Sequence, residues 1–374
     1  MRKFSLVALV LSALAISLPV AQADSPVIRI VDQPHLNFDG TWRNNELATL
    51  LQPDGRLGKP VYFPSSPNAT WVIDAEIVDE AVAMSQGYIF SKVDQPVGKA
   101  IAIEWLKRLR VVTFNNRVIA LPYGNADESL VKSLAPSELK FYTSYSNQRL
   151  ATVLGRPVTT QSGWGKGRSG LSYLFRKSYV ENRRTLFGLS KAINADEITN
   201  LRARLGSVLN PNLNRNDRAY FSYTSTAETV RISSKLRVVS GRYQLTSESV
   251  KVPITLVNNF DTAAVVSLSL IPMNGRVRVT NIHEITIAPK SRMQLSVPFT
   301  VIAPGSTLVI AQFMTPTGLM IGNTSRLNLS LTLIDSRVTW FTTGAAILLF
   351  LAAVAQSVRR VRLGRKKEEL EAQE

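Results

Sequence analysis

Two carboxylates stand where catalytic acids stand in α/β proteins, each shortly after an apolar run. Asp74 ends the stretch TWVID, and Asp127 follows the stretch RVIALPYG after two further residues. Sites in α/β sheets and barrels form at the carboxyl ends of strands. Two carboxylates at such an edge can act as general acid and general base on a glycan. This pattern predicts a glycan-processing hydrolase with Asp74 and Asp127 as its catalytic residues.

The same carboxylates also fit a purely structural role. The tetrapeptide NADE occurs at residues 125–128 and again at 194–197. The second copy is typical of a helix start, with Asn194 as the cap and Glu197 three positions later. Asp127 is then a carboxylate in the first turn of a helix, where the helix dipole favours negative charge. In this alternative the chain has no catalytic residue.

The residue types that are scarce narrow the chemistry further. The chain has no cysteine and two histidines, His35 and His283. Thiol catalysis, cysteine metal sites and a zinc site of three histidines are therefore excluded, and we expect neither a metal nor a cofactor. A GxGxxG pattern at Gly165, Gly167 and Gly170 follows no clear strand. We interpret it as a hinge rather than as a dinucleotide site.

Strands alternate with helices around the two carboxylates. Residues 70–74 and 117–121 are predicted to be buried strands, and residues 75–86 and 97–109 carry apolar side chains at helical spacing. This alternation is typical of βα units around a parallel sheet. We assign residues 24–160 to a partial barrel-like α/β domain, with a small open sheet as the alternative, because a full (βα)₈ barrel needs about 250 residues.

Two apolar segments at the chain ends indicate export and anchoring. Residues 338–358 contain no charged side chain and can cross the membrane as a helix. Residues 1–23 are typical of a signal peptide, either cleaved or retained. Cations beside a span favour the cytoplasm, and here they follow it: Arg359, Arg360, Arg362, Arg365, Lys366 and Lys367. The sequence predicts a single-pass protein of the cytoplasmic membrane with an extracytoplasmic bulk and a cytoplasmic tail, residues 359–374.

Positive charge is concentrated in residues 161–215, which we interpret as a basic hinge and helical segment. The formal charge of the chain is +17, and nine cations stand against three carboxylates between Lys166 and Arg204. Outside a bacterial membrane the available polyanions are lipid phosphates and wall polymers, so these rather than nucleic acid are the expected partners. A role in general solubility is the alternative. The candidate contacts are Arg176, Lys177, Arg183 and Arg184.

Residues 216–335 alternate between apolar and polar side chains. The runs at residues 294–301 and 326–333 are two examples, and turn signals rich in Gly, Pro and Asn separate the runs. About seven strands at this spacing are typical of an immunoglobulin-like β-sandwich. Pro253 and Pro298 lie inside strand patterns, which predicts that their strands stand at sheet edges or bulges.

Three segments resemble an actinobacterial family of single-pass envelope proteins of unknown function, often encoded beside the lipid II flippase. They are EWLKRLRVV…NNRVIALPYGNADESLVKSL, YQLTSESVKVPITLVNNFDTAAVVSLSLIP and TIAPKSRMQLSVPFTVIAPGSTLVIAQFMTPTGLMIG, within residues 70–367. The resemblance implies a signal peptide, an α/β barrel-like domain, a helical insert, a sandwich, one span and a basic tail. Members of the family are usually longer, so this chain resembles a shortened one. Asn125 and Ala126 replace the family's usual Asp-Pro, whereas Asp127 matches its final Asp.

These observations favour a non-catalytic accessory or scaffold in bacterial cell-envelope assembly. Its expected partners are the lipid bilayer, anionic wall polymers or lipids, and membrane proteins of envelope assembly. The lack of cysteine in an exported chain of this size agrees with a bacterial envelope protein. The hydrolase alternative requires Asp74 and Asp127 to converge in a concave pocket, about 5–9 Å apart.

Overall fold

The computed structural model describes residues 26–332 and 336–371, with side chains described for residues 26–332 and 343–360. The predicted signal peptide lies outside the described residues. The described chain forms two compact units. The first unit contains residues 26–35, 42–125 and 143–165, and the second contains residues 36–41, 126–142 and 166 onward.

Helices and short strands alternate in the amino-terminal half. In chain order the elements are β1 (Val27–Ile30), α1 (Glu46–Leu50), α2 (Lys59–Tyr62), β2 (Thr70–Ile73), α3 (Ala75–Ser85), β3 (Ile89–Phe90), β4 (Val93–Asp94), α4 (Pro96–Thr113), β5 (Val118–Ala120), α5 (Glu128–Leu134), α6 (Pro136–Leu154) and β6 (Thr159–Thr160). A 3₁₀ turn, Tyr123–Asn125, follows β5. The predicted helices at residues 75–86 and 97–109 are α3 and α4.

The first unit is built on a four-stranded parallel sheet. Its strand order is β1-β2-β5-β6, and each neighbouring pair is parallel. The four strands follow one another across the sheet in the same order as along the chain, which is the winding of half a (βα)₈ barrel. The core contains Val72, Ile119 and Leu121, with Val31 and Trp164 packed against it. This confirms the predicted mixture of helices and a partial barrel-like sheet.

The carboxy-terminal half begins with three helices and continues with nine strands. In chain order the elements are α7 (Tyr173–Ala192), α8 (Asp196–Arg204), α9 (Arg215–Ser233), β7 (Leu236–Val238), β8 (Gly241–Leu245), β9 (Ser249–Asn258), β10 (Ala264–Pro272), β11 (Val277–Val279), β12 (Ile282–Ile287), β13 (Ser291–Val301), β14 (Gly305–Met314), β15 (Met320–Leu331) and α10 (Ser336–Glu371). All of these belong to the second unit.

Strands β7–β15 form a two-sheet β-sandwich. One sheet has the order β12-β10-β14-β15-β8 and the other has the order β11-β13-β9-β7. In β15, Leu327, Leu329 and Leu331 are buried, whereas Asn328 and Ser330 are exposed. The apolar side chains of the alternating pattern therefore face the core between the two sheets, and the polar ones face outward, as a sandwich requires.

The sandwich starts later than the sequence predicts. Residues 215–233 form α9, and the first strand begins at Leu236. Several side chains on the buried face of α9 are small and polar, among them Ser222, Ser225 and Thr229. Their spacing is helical, but an apolar periodicity does not register hydroxyl side chains. The first strand of the sandwich therefore begins about twenty residues after the predicted boundary at residue 216.

The second copy of NADE starts a helix without the predicted cap. Helix α8 begins at Asp196, and its N-cap Ala195 offers no side-chain hydrogen bond. Glu197 forms an ion pair with Lys235 at 2.5 Å instead of closing a capping box with Asn194. Glu197 thus pairs with Lys235, which is distant in the sequence, instead of with the helix start as the local motif predicts.

Pro253 and Pro298 lie in β9 and β13, which are inner strands of their sheet. The prediction of edge strands is therefore wrong for the strands as a whole. Strand β7 pairs only with residues 256–258 of β9, and β11 pairs only with residues 299–301 of β13. Pro253 therefore lies outside the stretch of β9 that pairs with β7, and Pro298 lies outside the stretch of β13 that pairs with β11. At such positions the missing N–H of proline costs no hydrogen bond between strands.

Helix α10 is, within the described part of the chain, the one helix long and apolar enough to cross a membrane. Its apolar window is Thr343–Arg360, and none of this window is buried. The window overlaps the predicted span at residues 338–358. The helix continues to Glu371, so most of the predicted tail extends it.

Candidate functional site

Asp74 caps helix α3 from the carboxyl end of β2. Its Oδ1 accepts hydrogen bonds from the backbone N–H groups of Glu76 at 3.1 Å and Gly124 at 3.0 Å. The side chain is fully buried, and Oδ2 has no hydrogen-bond partner among the described residues. Burial raises the pKa of Asp74 to about 7. The neighbouring N–H groups oppose this shift, and the charge on Glu80 adds to it.

The chemistry available to Asp74 follows from these contacts. A carboxyl group that titrates near neutral pH can donate or accept a proton in catalysis. Its Oδ2 would carry the proton, because Oδ1 is held by N–H donors. The side chain is closed to solvent, so a substrate has no direct access to it in this structure.

A histidine five residues after β1, His35, lies in the same unit as Asp74. His35 is fully buried, and its backbone N–H donates to Glu80 Oε1 at 2.8 Å. Its Nδ1 lies 3.2 Å from Asn44 Oδ1, and its Nε2 lies 3.7 Å from the Asp32 carboxylate. Burial acts to lower the pKa of His35, but the two carboxylates outweigh it and the pKa lies above its ordinary value. We refer to Asp32, His35, Asp74 and Glu80 as the strand-end cluster.

Most of the strand-end cluster is not evident from the sequence. No other histidine lies near His35 in the chain, and Glu80 is one of several acidic residues on α3. The usable signal was position: VDQPH follows β1 directly, at the same sheet edge as Asp74. Among the described residues, no group of three or more His, Asp or Glu side chains is arranged to hold a metal ion.

Another carboxylate of the first unit, Asp79 on α3, forms a bidentate ion pair. Arg149 donates from Nε and Nη2 to both oxygens of Asp79 at 2.8–3.0 Å, and the Tyr123 hydroxyl donates to Oδ2 at 3.0 Å. Burial raises the pKa of Asp79, and Arg149 reduces that rise. The pair joins α3 to the second half of α6 and to the turn after β5, which is a structural role.

Asp127 lies in the second unit and caps α5. Its Oδ1 accepts from the backbone N–H of Ser129 at 2.9 Å, from the Ser129 hydroxyl at 2.7 Å and from the Leu130 N–H at 3.3 Å. Its Oδ2 accepts from the backbone N–H of Ser169 at 2.7 Å. Burial acts to raise the pKa of Asp127, but these donors outweigh it and hold the pKa below its ordinary value. Asp127 is therefore an ionised cap with both oxygens occupied.

The two predicted catalytic carboxylates thus have separate structural partners. Asp74 belongs to the first unit and Asp127 to the second, and each caps the helix that follows it. The first-turn role that the sequence offered for Asp127 understates its contacts, because an N-cap carboxylate satisfies backbone donors directly.

The glycine-rich segment around Gly167 is fixed at its carboxyl end. Besides the Asp127 contact, the Ser169 hydroxyl accepts a hydrogen bond from Arg218. The buried guanidinium of Arg218 also donates to backbone carbonyls at 3.0 Å, which are those of Val208, Asn210 and Leu213. Gly167 has a φ of +84°, and a Cβ there would lie 2.9 Å from Pro211. The positive φ of Gly167 marks a sharp turn of the chain at a position that favours glycine.

The four cations proposed to contact anionic polymers do not share one environment. Arg176, Lys177 and Arg184 are exposed on α7. Arg183 instead lies 3.7 Å from the buried carboxylate of Glu138, which also accepts two hydrogen bonds from Arg202 at 2.9 Å. Arg183 therefore serves the helical core, whereas the other three cations are exposed to solvent.

Comparison with known proteins supplies similarity without an activity. A family model described as "Family of unknown function (DUF6049)" matches residues 186–366. This match starts within α7 and ends within α10, so the α/β part of the broader resemblance at residues 70–367 lies outside it. A search of curated proteins finds no significant match.

Several solved structures show similarity over about a quarter of the chain. WR4, a C. elegans MSP family member, has 11% identity and a TM-score of 0.21, covering 26% of this chain and 98% of its own. Salmonella alpha-2-macroglobulin has 13% identity and a TM-score of 0.21, covering 26% and 7%. The E. coli chaperone DraB has 10% identity and a TM-score of 0.20, covering 26% and 55%. Over residues 186–366, the chain is thus similar to a family of unknown function.

Proposed function

We propose that this protein is a membrane-anchored, non-catalytic accessory of bacterial cell-envelope assembly. In this proposal residues 1–23 direct export, α10 crosses the cytoplasmic membrane, and the sandwich and α/β parts lie outside. The observation that carries the non-catalytic part is that Asp74 and Asp127 each cap the helix that follows: Asp74 is closed to solvent, and the two oxygens of Asp127 accept four hydrogen bonds. A general acid or base needs an oxygen open to substrate.

The proposed orientation rests on charge at the end of the span. Six cations follow the apolar run within nine residues, and cations next to a span are retained in the cytoplasm. The resemblance to an actinobacterial envelope family with one span and a basic tail supports the same arrangement. The match to a family of unknown function is compatible with a protein that has no assigned chemistry.

The proposed partners follow from the exposed cations of α7. Arg176, Lys177 and Arg184 present positive charge on an exported surface, where wall polymers and lipid phosphates are the abundant polyanions. The ion pair between Lys177 and exposed Glu181, at 3.9 Å, is weak. Attraction of this type is screened by salt.

The test of the non-catalytic proposal is complementation of an envelope defect in cells that lack the protein. Asp127→Ala and Asp74→Asn chains should restore envelope integrity when their abundance in the membrane fraction equals that of the parent. Loss of complementation by either variant at equal abundance, with the same secondary structure by circular dichroism, would contradict the proposal.

One observation favours a second candidate function, a glycan-processing hydrolase. The pKa of Asp74 is raised to about 7, and Asp74 lies with buried His35 and Glu80 at the carboxyl edge of a barrel-like sheet. Raised carboxyl pKa values are a feature of general acids in glycosidases. A hydrolase would use Asp74 with a strand-end neighbour rather than with Asp127. Its signature would be loss of function in Asp74→Asn alone, with Asp127→Ala active.

A further inference from the structure

A concave groove of about 870 Å³ lies on the outer face of the five-stranded sheet of the sandwich. The strand register places its central side chains in two rows. Leu308, Asn328 and Arg242 form one row across β14, β15 and β8, and Ser306, Ser330 and Gln244 form the next. A pocket of this volume is large enough for a small ligand.

The groove is polar, and its side chains are available to a ligand. Among the described residues that line it, Arg242 is the single charged side chain and no carboxylate is present. The side chains of Arg242, Gln244, Asn328 and Ser330 make no hydrogen bond or ion pair within the described structure. One guanidinium suits one phosphodiester charge, and the neutral amides and hydroxyls suit the hydroxyl groups of a polyol.

Chain connectivity places the groove close to the start of α10. Thr332 lines the groove, and α10 begins at Ser336. Four residues of fully extended chain span at most about 14 Å. If α10 crosses the bilayer as proposed above, the Thr332 end of the groove lies no more than about 14 Å from the start of the membrane helix. The inference below rests on that part of the proposed function.

We propose that this groove binds a membrane lipid whose phosphodiester headgroup carries a ring of hydroxyl groups, as in phosphatidylinositol, rather than the shorter glycerol headgroup. Arg242 would hold the phosphodiester through its guanidinium, while Asn328 and Gln244 would exchange hydrogen bonds with the polyol hydroxyls. The absence of carboxylates among the described lining residues removes the repulsion that would otherwise oppose a phosphate. A basic surface alone would bind any anionic headgroup, so the amide side chains are what give preference for a polyol.

The proposal is tested by native mass spectrometry of the full chain, extracted from membranes into neutral micelles. Phosphatidylinositol, phosphatidylglycerol or phosphatidylcholine is added at equal concentration. The parent should retain phosphatidylinositol at least about tenfold better than phosphatidylglycerol, a gap of about 1.4 kcal/mol. The double variant Arg242→Gln/Asn328→Ala should lose that preference, and Asn328→Asp should lose it by repulsion without a change of side-chain size.

Arg326→Gln is the matched control, because Arg326 is exposed on the same face of β15 and does not line the groove. It should bind phosphatidylinositol as the parent does. Equal loss in Arg326→Gln and Arg242→Gln/Asn328→Ala would show a general charge effect and overturn the proposal. Retention by both groove variants would overturn it as well.

Two further outcomes separate the sources of failure. Displacement of the lipid by equimolar myo-inositol 1-phosphate would contradict a membrane-lipid headgroup and assign the groove to a soluble polyol phosphate. Recovery of the chain from the soluble fraction would contradict the anchor. A chain found in membranes that retains no phosphatidylinositol contradicts the groove proposal alone.

Discussion

The carboxylate of Asp127 accepts the backbone N–H of Ser169 at 2.7 Å through Oδ2 while its Oδ1 caps α5. One side chain thus fixes the start of a helix and the end of a glycine-rich segment 42 positions later. Arg218 approaches the same serine through its hydroxyl. Asp127, one of the two candidate catalytic carboxylates, therefore connects two distant parts of the backbone.

Removal of this junction should cost stability and leave function. We expect Asp127→Ala to lower the free energy of unfolding by about 1–2 kcal/mol, through loss of the cap and of the Ser169 contact. Asp127→Asn keeps an acceptor oxygen and should lose less. Urea unfolding of the purified chain measures both. A loss above about 4 kcal/mol would show that the carboxylate does more than cap.

Asp74 should make stability depend on pH below neutrality. Its folded pKa is about 7 and its ordinary pKa is 3.8, so the folded state binds the proton more tightly. The stabilisation by this proton is complete below pH 3.8 and is lost as pH rises toward 7. Asp74→Asn replaces the protonated acid by a neutral amide and should flatten this dependence. Equal slopes for parent and variant between about pH 5 and pH 7.5 would contradict the raised pKa.

His35 also makes the folded state less stable as pH rises, and this contribution is common to the parent and to Asp74→Asn. Its folded pKa lies above 6.5, so its contribution is present below that pH and is lost as pH rises through the folded value. The difference between Asp74→Asn and the parent isolates Asp74, because His35 is unchanged in both.

The exposed cations of α7 should act through a screened field. Arg176→Gln/Arg184→Gln should weaken binding of the full chain to vesicles rich in phosphatidylglycerol at low salt and should matter little at about 0.5 M salt. Arg183→Gln is the contrasting variant, because Arg183 faces buried Glu138 at 3.7 Å. It should lower the melting temperature more than it lowers binding. Unchanged vesicle binding of the double variant at low salt would show that these cations are solvated and do not contribute to binding.

The register of β15 predicts opposite effects at adjacent positions. Leu331 is buried and Ser330 is exposed. Leu331→Asp should destabilise the sandwich by roughly 4 kcal/mol or more, since it removes a core side chain and buries a charge. Ser330→Asp should leave the melting temperature within a few degrees of the parent. A stable Leu331→Asp chain would show that the face assignment is wrong.

Periodic features of the fold were predictable from sequence, and features made by distant contacts were not. The strands at TWVI and VIA and the alternation in β15 follow from local apolar patterns. Helix α9 was not predictable from an apolar pattern, because Ser and Thr occupy much of its buried face. Buried hydroxyls satisfied within a helix leave no apolar stripe to read.

The site residues show the same division. That Asp127 could serve a helix start was predictable from NADE, but its bond to Ser169 depends on tertiary structure. The role of Arg183 in the core depends on Glu138, which lies 45 positions earlier in the chain. The groove requires the register of β8, β14 and β15, strands whose pairing no local pattern specifies.

The central claim, an anchored protein with its bulk outside the cytoplasm, is tested most directly by paired topology reporters. A reporter active only outside the membrane and one active only in the cytoplasm are each fused after Asp335 and after Glu374 in otherwise intact chains. We predict activity of the first reporter at Asp335 and of the second at Glu374. Transfer of the six cations to the front of the span should weaken or invert this pattern. The opposite pattern in the unaltered chain would contradict the account.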